Sequence, residues 1–175
     1  IQAIELVGDA ADRFQWALPL ANQAGNGAPD AALNTCLGTE GINLVMRRLQ
    51  NAIVAQGFVT TRILAQPQDL AGGTLRLMVI PGRIRHIRFS PDAAGQVPAR
   101  ATQWNALPAV PGDILNLRDI EQALENFKRV PTAEADIQIT PAEGDGAAPG
   151  ESDLLIAWQQ GFPLRLNLSL DDSGS

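Results

Sequence analysis

The chain has 175 residues, 45% of them hydrophobic and 18% charged, with a net charge of −6. That composition suits one medium domain or two small ones. It excludes a helical membrane span, because no run approaches the roughly 18 apolar residues such a helix needs. The charge is unevenly placed. Residues 42–88 hold seven arginines against one acid, Asp69; residues 89–175 hold five basic residues against thirteen acids; the first 41 hold one arginine and five acids. Such segregation either steers a charged partner onto one part of the chain or is simply an uneven solvated surface. A nucleic-acid partner is not expected, since the basic stretch has almost no aromatic residues for stacking and the remainder repels phosphate. The first residue is Ile1 rather than Met, so a processed chain or an excised piece is expected.

In chain order, Gln2 to Val7 reads as a leading strand, and a weaker helical segment lies near Arg13 to Leu20. Gly38-Thr39-Glu40-Gly41 offers a helix start. Apolar residues then fall at Ile42, Val45, Met46, Leu49, Ala52 and Ile53, the spacing of one buried helix face, and Gly57 stops the helix. Phe58 to Leu64 is rich in β-branched residues and predicts a strand. Pro67 and Gly72-Gly73 mark a connection, Thr74 to Ile80 predicts the next strand, and Pro81-Gly82 closes the unit.

The same order then recurs. Arg83 to Phe89 is a second leading strand, with a weaker helical segment near Ala99 to Leu107. Asn116 is a good N-cap, acids Asp119 and Glu121 sit in the first turn where the helix dipole favours them, and Leu117, Ile120, Leu124 and Phe127 form an apolar stripe. Lys128, Arg129 and Pro131 end that helix. Ala135 to Thr140 and Ser152 to Gln159 predict two strands around a Gly/Pro/Ala-rich loop. The predicted class is α+β: two tandem units of about 80 residues, each a three-stranded mixed sheet covered on one face by two helices. The first unit is expected over 1–81 and the second over 82–160. In the tail, Leu164, Leu166, Leu168 and Leu170 alternate with polar residues, the period of a strand with lipid on one side and water on the other.

A tandem of β-α-α-β-β units resembles the polypeptide-transport-associated (POTRA) domains of the Omp85 superfamily. Three strings resemble the two-partner secretion transporters of the haemolysin and haemagglutinin type in particular: Ile80-Pro81-Gly82-Arg83-Ile84, Leu115 to Asn126 with Arg129 and Pro131, and Pro149-Gly150-Glu151-Ser152-Asp153-Leu154. The match covers nearly the whole chain. It implies a periplasmic part of a Gram-negative outer-membrane protein. It also implies that residues 161–175 open a β-barrel whose remainder is absent, together with the family's plug helix and linker. The implied partners are that barrel and the N-terminal secretion domain of a cognate exported protein, with the chain itself a monomer. No cofactor or metal is implied. The resemblance further implies that Cys36, the single cysteine, is a half-cystine whose partner lies upstream; the residues alone leave a buried small hydrophobe as the alternative.

Enzyme chemistry has no foothold in the sequence. His86 is the only histidine and lies on a strand, Gly38-x-x-Gly41 lacks the Lys-Ser/Thr of a phosphate loop, and no spaced metal-ligand set occurs. The candidate binding surface is instead a pair of sheet edges. A three-stranded sheet leaves edge strands whose backbone can pair with an incoming chain. By the resemblance, the second strand of each unit is the edge: Val59, Thr60, Thr61, Arg62 and Ile63 in the first, and Ala135, Asp136, Ile137, Gln138 and Ile139 in the second. Thr60, Thr61 and Arg62 are expected to moderate unwanted pairing. Alternation places Arg83 and Arg85 on one strand face and His86 and Arg88 on the other. Arg83, Arg85 and Arg88 are candidate contacts for an acidic partner or the barrel, or an ordinary solvated strand. Outer-membrane protein assembly is the alternative function on the same fold, and a small α/β enzyme the alternative on another.

Overall fold

The computed structural model describes residues 1–22, 31–90, 105–129, 133–144 and 146–160. Two three-stranded mixed sheets form, one after the other along the chain. The first contains β1 (Ala3–Val7), β2 (Arg62–Ala65) and β3 (Thr74–Ile80), with a 3-10 turn at Ala11–Ala17, a short helix α1 (Leu18–Ala21) and the long helix α2 (Thr39–Ala55). The second contains β4 (Arg83–Ser90), β5 (Ala133–Pro141) and β6 (Glu151–Gln160), with helix α3 (Leu117–Phe127).

The strand with the strictest alternation is the centre of its sheet. In β3, Leu75, Leu77 and Val79 are buried while Arg76 between them is exposed. It pairs parallel with β1 on one side and antiparallel with β2 on the other. A parallel neighbour requires a crossover, and the helices between β1 and β2 supply it. Val45, Leu49 and Ile53 of α2 are almost wholly buried and close the core with Phe14 and the inner residues of β3. Each such side chain contributes about 1.5–3 kcal/mol on burial. The second sheet repeats the scheme with β6 central, parallel to β4 and antiparallel to β5. Its core joins Ile120, Ala123 and Phe127 of α3 to Leu154 and Ile156 of β6.

The two modules share their packing. Ile114, from the loop before α3, is buried in the first module's core, while Val59 packs against the second module's cluster. The C-terminus of α2 meets the N-terminus of α3, so the dipoles run head to tail. The last carbonyls of α2 therefore receive donors from the second module. Arg118 donates to Ala55 O at 3.3 Å, Asn116 Nδ2 to Gln56 O at 3.3 Å, and the Leu117 amide to Gly57 O at 2.8 Å. Asn116 caps its own helix at the same time, accepting from the Arg118 amide at 2.9 Å.

Two expectations are corrected by this packing. The strand predicted over Phe58 to Leu64 is confined to Arg62–Ala65. Phe58 to Thr61 turns instead, with the Thr61 amide donating to Phe58 O, while Val59 packs against the next module's cluster and Thr60 lies against Gly82. In β4, a bulge between Ile84 and His86 inserts one residue, Arg85, and shifts the alternation. Ile84, Ile87 and Phe89 therefore face the core, while His86 and Arg88 are exposed. The predicted sharing of one face by Arg83 and Arg85 does not hold: Arg83 belongs with His86 and Arg88. The helix expected near 99–107 lies largely outside the described residues, and so do Pro131 and the alternating tail from 161 to 175.

Candidate functional site at the sheet edges

Backbone polar groups on a sheet edge must bond to water, to the protein's own side chains or to another chain. The four edges here are treated differently. Just ahead of β1, the Asn34 amide donates to Ile1 O at 2.7 Å, so residue 34 holds the chain that leads into that edge strand. At the start of β4, the Ile84 amide donates to Asp113 O at 2.9 Å and the Gly112 amide to Ile84 O at 2.7 Å, so the loop before α3 covers that one.

On β2 the cover is a single side chain. Gln50 on α2 donates from Nε2 to Thr61 O at 2.8 Å and accepts from the Ile63 amide through Oε1 at 3.0 Å. One carboxamide thus takes both outward backbone groups that flank Arg62. Beyond the end of β2, Gln68 does the same to Arg76 of β3, donating to its carbonyl at 2.7 Å and accepting from its amide at 2.8 Å. The nine residues of β5 differ: among the described residues, their backbone bonds only toward β6. The solvent side of β5 is polar, with Glu134, Asp136, Gln138 and Thr140 exposed, while Ala133 and Ala135 are buried and Ile137 and Ile139 pack on the core.

The sequence-derived candidates therefore divide. Arg62 and Ile63 lie on an edge strand, with Ile63 buried and Arg62 exposed. Ala135, Asp136, Ile137, Gln138 and Ile139 lie on an edge strand whose outer side has no backbone partner among the described residues. Val59, Thr60 and Thr61 lie outside any strand. Thr61 is fully buried and its hydroxyl accepts from the Gly82 amide at 3.2 Å, so it holds the junction rather than moderating an edge. Arg83 pairs with Asp9 at 2.6 Å and donates to Gly112 O, and Arg85 donates to Glu143 O at 3.1 Å. Of the three, Arg88 is exposed, and Arg83 and Arg85 are half-buried. Cys36 is exposed and free. Gln50 carried no sequence signal, being one polar residue beside an apolar stripe. Among the described residues, no group of acids, histidines and cysteines is placed to hold a metal ion, and no helix is long and apolar enough to cross a membrane.

Two family models match in tandem. Residues 18–82 match the ShlB-type POTRA domain and residues 83–141 match the POTRA domain. The chain belongs to the POTRA family. Its tandem is 41% identical over 165 residues to an outer membrane transporter CdiB-2 from Burkholderia pseudomallei, covering 94% of this chain and 25% of that protein. It is 35% identical over 142 residues to the CdiB of Dickeya dadantii, covering 81% and 24%. The solved CdiB from Acinetobacter baumannii superposes with a TM-score of 0.80 at 29% identity, over 93% of this chain and 30% of that one. The POTRA tandem thus spans about a quarter of the curated relatives it matches. POTRA1-3 of Omp85 from Anabaena shares the fold, with a TM-score of 0.61 at 15% identity.

Proposed function

We propose that this POTRA tandem is the periplasmic capture module of a two-partner secretion transporter. It binds the N-terminal secretion domain of a cognate exported protein and hands it to a β-barrel in the outer membrane. In this reading residues 1–81 form the first domain, 82–160 the second, and 161–175 begin the barrel. The similarity to CdiB transporters supports the class. The observation that carries the mechanism is the nine-residue edge strand β5, whose outer side has no backbone partner among the described residues. Backbone pairing along such an edge holds an extended chain without strict demands on its sequence, as an unfolded cargo requires. A second edge in the same chain adds avidity to individually weak contacts. The chain itself performs no bond-making step in this scheme; its work is recognition and hand-over.

The test is a titration of the chain with the N-terminal secretion domain encoded beside its gene. Saturable binding is expected, weakened by Ile137→Pro, since proline removes a donor and distorts the edge. A folded chain that does not bind, or binding indifferent to proline in β5, overturns the proposal.

A further inference from the structure

Both POTRA domains have the same topology, yet their second strands end differently. In α2, Gln50 stands three residues before the last buried position, Ile53, and one after buried Leu49. In α3 the corresponding place, three before buried Phe127 and one after buried Ala123, is Leu124, which packs on the core. A leucine has no polar atom to offer an edge, and a glutamine here offers two. Gln50 thus closes β2 at Thr61 O and the Ile63 amide, and β5 has no such guard among the described residues. Of the other two edges, β4 is bonded at Ile84 by the loop before α3, and the chain leading into β1 is held at Ile1. The charge differs as well: β5 exposes Glu134 and Asp136, whereas β2 exposes Arg62. Opposite charges facing each other across paired strands are favourable and like charges are not.

We propose that the two edges fill in order. β5 receives an extended segment of the exported protein first, one with basic or uncharged side chains opposite Glu134 and Asp136. Gln50 is the guard on β2, and a strand must displace its carboxamide before it can add there. The guard imposes a modest cost on the second site, because an incoming strand replaces two satisfied hydrogen bonds rather than two hydrated groups. Binding at β2 then follows only when the first contact has raised the local concentration of the cargo. This rests on the capture function proposed above.

Residue-resolved amide exchange on the labelled chain separates the two ideas. In the free protein the Ile63 amide should be protected, and Gln50→Leu should accelerate its exchange by about tenfold, the loss of one ordinary hydrogen bond. With the secretion domain added at low saturation, wild type should gain protection along 133–140 and not at 63–65. Gln50→Leu should gain it at both, with affinity raised by about 2–10-fold. Gln50→Glu keeps an acceptor for Ile63 but sets a carboxylate against Thr61 O, so it should open β2 too; it serves if the leucine variant fails to fold. Protection of β2 before β5 in wild type, or no change at 63–65 in either variant, overturns the guard while leaving capture intact. Protection of neither edge, in wild type and variants alike, overturns edge capture and the guard together.

Discussion

Gly57→Ala probes the joint between the POTRA domains, and the structure supplies its own control. Gly57 ends α2 with φ +96°, and a Cβ built there would run into Asn116, the cap of α3. Gly112 has the same φ of +96°, and nothing stands near its Cβ. An L-residue in left-handed backbone costs about 1–2 kcal/mol. The gain from a stiffer unfolded chain, about 0.4–1 kcal/mol, is common to both substitutions. Only Gly57→Ala also drives Asn116 from its place, losing a cap worth about 1 kcal/mol and its bond to Gln56 O, worth about 0.5–1.5 kcal/mol. Gly57→Ala should therefore cost about 1.5–2.5 kcal/mol more than Gly112→Ala. Urea unfolding measures both, with the midpoint shifting and the slope unchanged. In an Asn116→Ala background the excess at Gly57 should shrink toward zero, a coupling within reach of a double-mutant cycle. Equal costs at the two glycines, or an excess that survives Asn116→Ala, would refute the account of the joint.

Other expectations follow from the same packing. Ile114→Ala should cost about 2–5 kcal/mol by opening a cavity in the first domain's core, although the residue belongs to the second domain's loop; denaturation followed by probes in each domain should show both destabilised. Thr61→Val should cost about 1–3 kcal/mol by leaving the Gly82 amide without its acceptor, measured by the same unfolding. Affinity for the secretion domain should fall as salt rises if the basic segment steers the partner, and a flat salt profile in titration calorimetry removes that role.

Much of the fold was legible because it rests on periodicity. Thr74–Ile80 is the strand the alternation predicts, and the Asn116 cap bonds as its position implies. The misreadings have physical causes. Val59, Thr60 and Thr61 have high β-propensity, but contact with the next domain overrides it. Gly82 has no room for a side chain against Thr60, and its amide bonds to Thr61, so the segment must turn there. The bulge in β4 left a trace that strict alternation ignores: the apolar positions Ile84, Ile87 and Phe89 are spaced three and then two apart. The open and closed edges were not legible at all. Whether Gln50 meets a backbone edge or solvent depends on where β2 ends, and that depends on the neighbouring domain.

An open edge poses a hazard that bears on how β5 is built. A nine-residue strand whose outer side has no backbone partner among the described residues can pair with its own copy in a second molecule. In such a pair, brought together antiparallel about a two-fold axis, Glu134 and Asp136 of one molecule face the same strand of the other. With no basic residue in β5, the carboxylates have no opposite charge to meet. Like charges across paired strands are destabilising, and a basic or neutral cargo strand does not suffer this penalty. The two acids thus favour cargo over self. Replacing both, as Glu134→Thr with Asp136→Thr, should leave the core untouched because both side chains are exposed. It should raise the tendency to dimerise while lowering affinity for the secretion domain. Sedimentation equilibrium over a range of concentrations reads the first and titration the second. A double variant that stays monomeric at every concentration and binds as wild type would show that β5's charge has no part in its choice of partner.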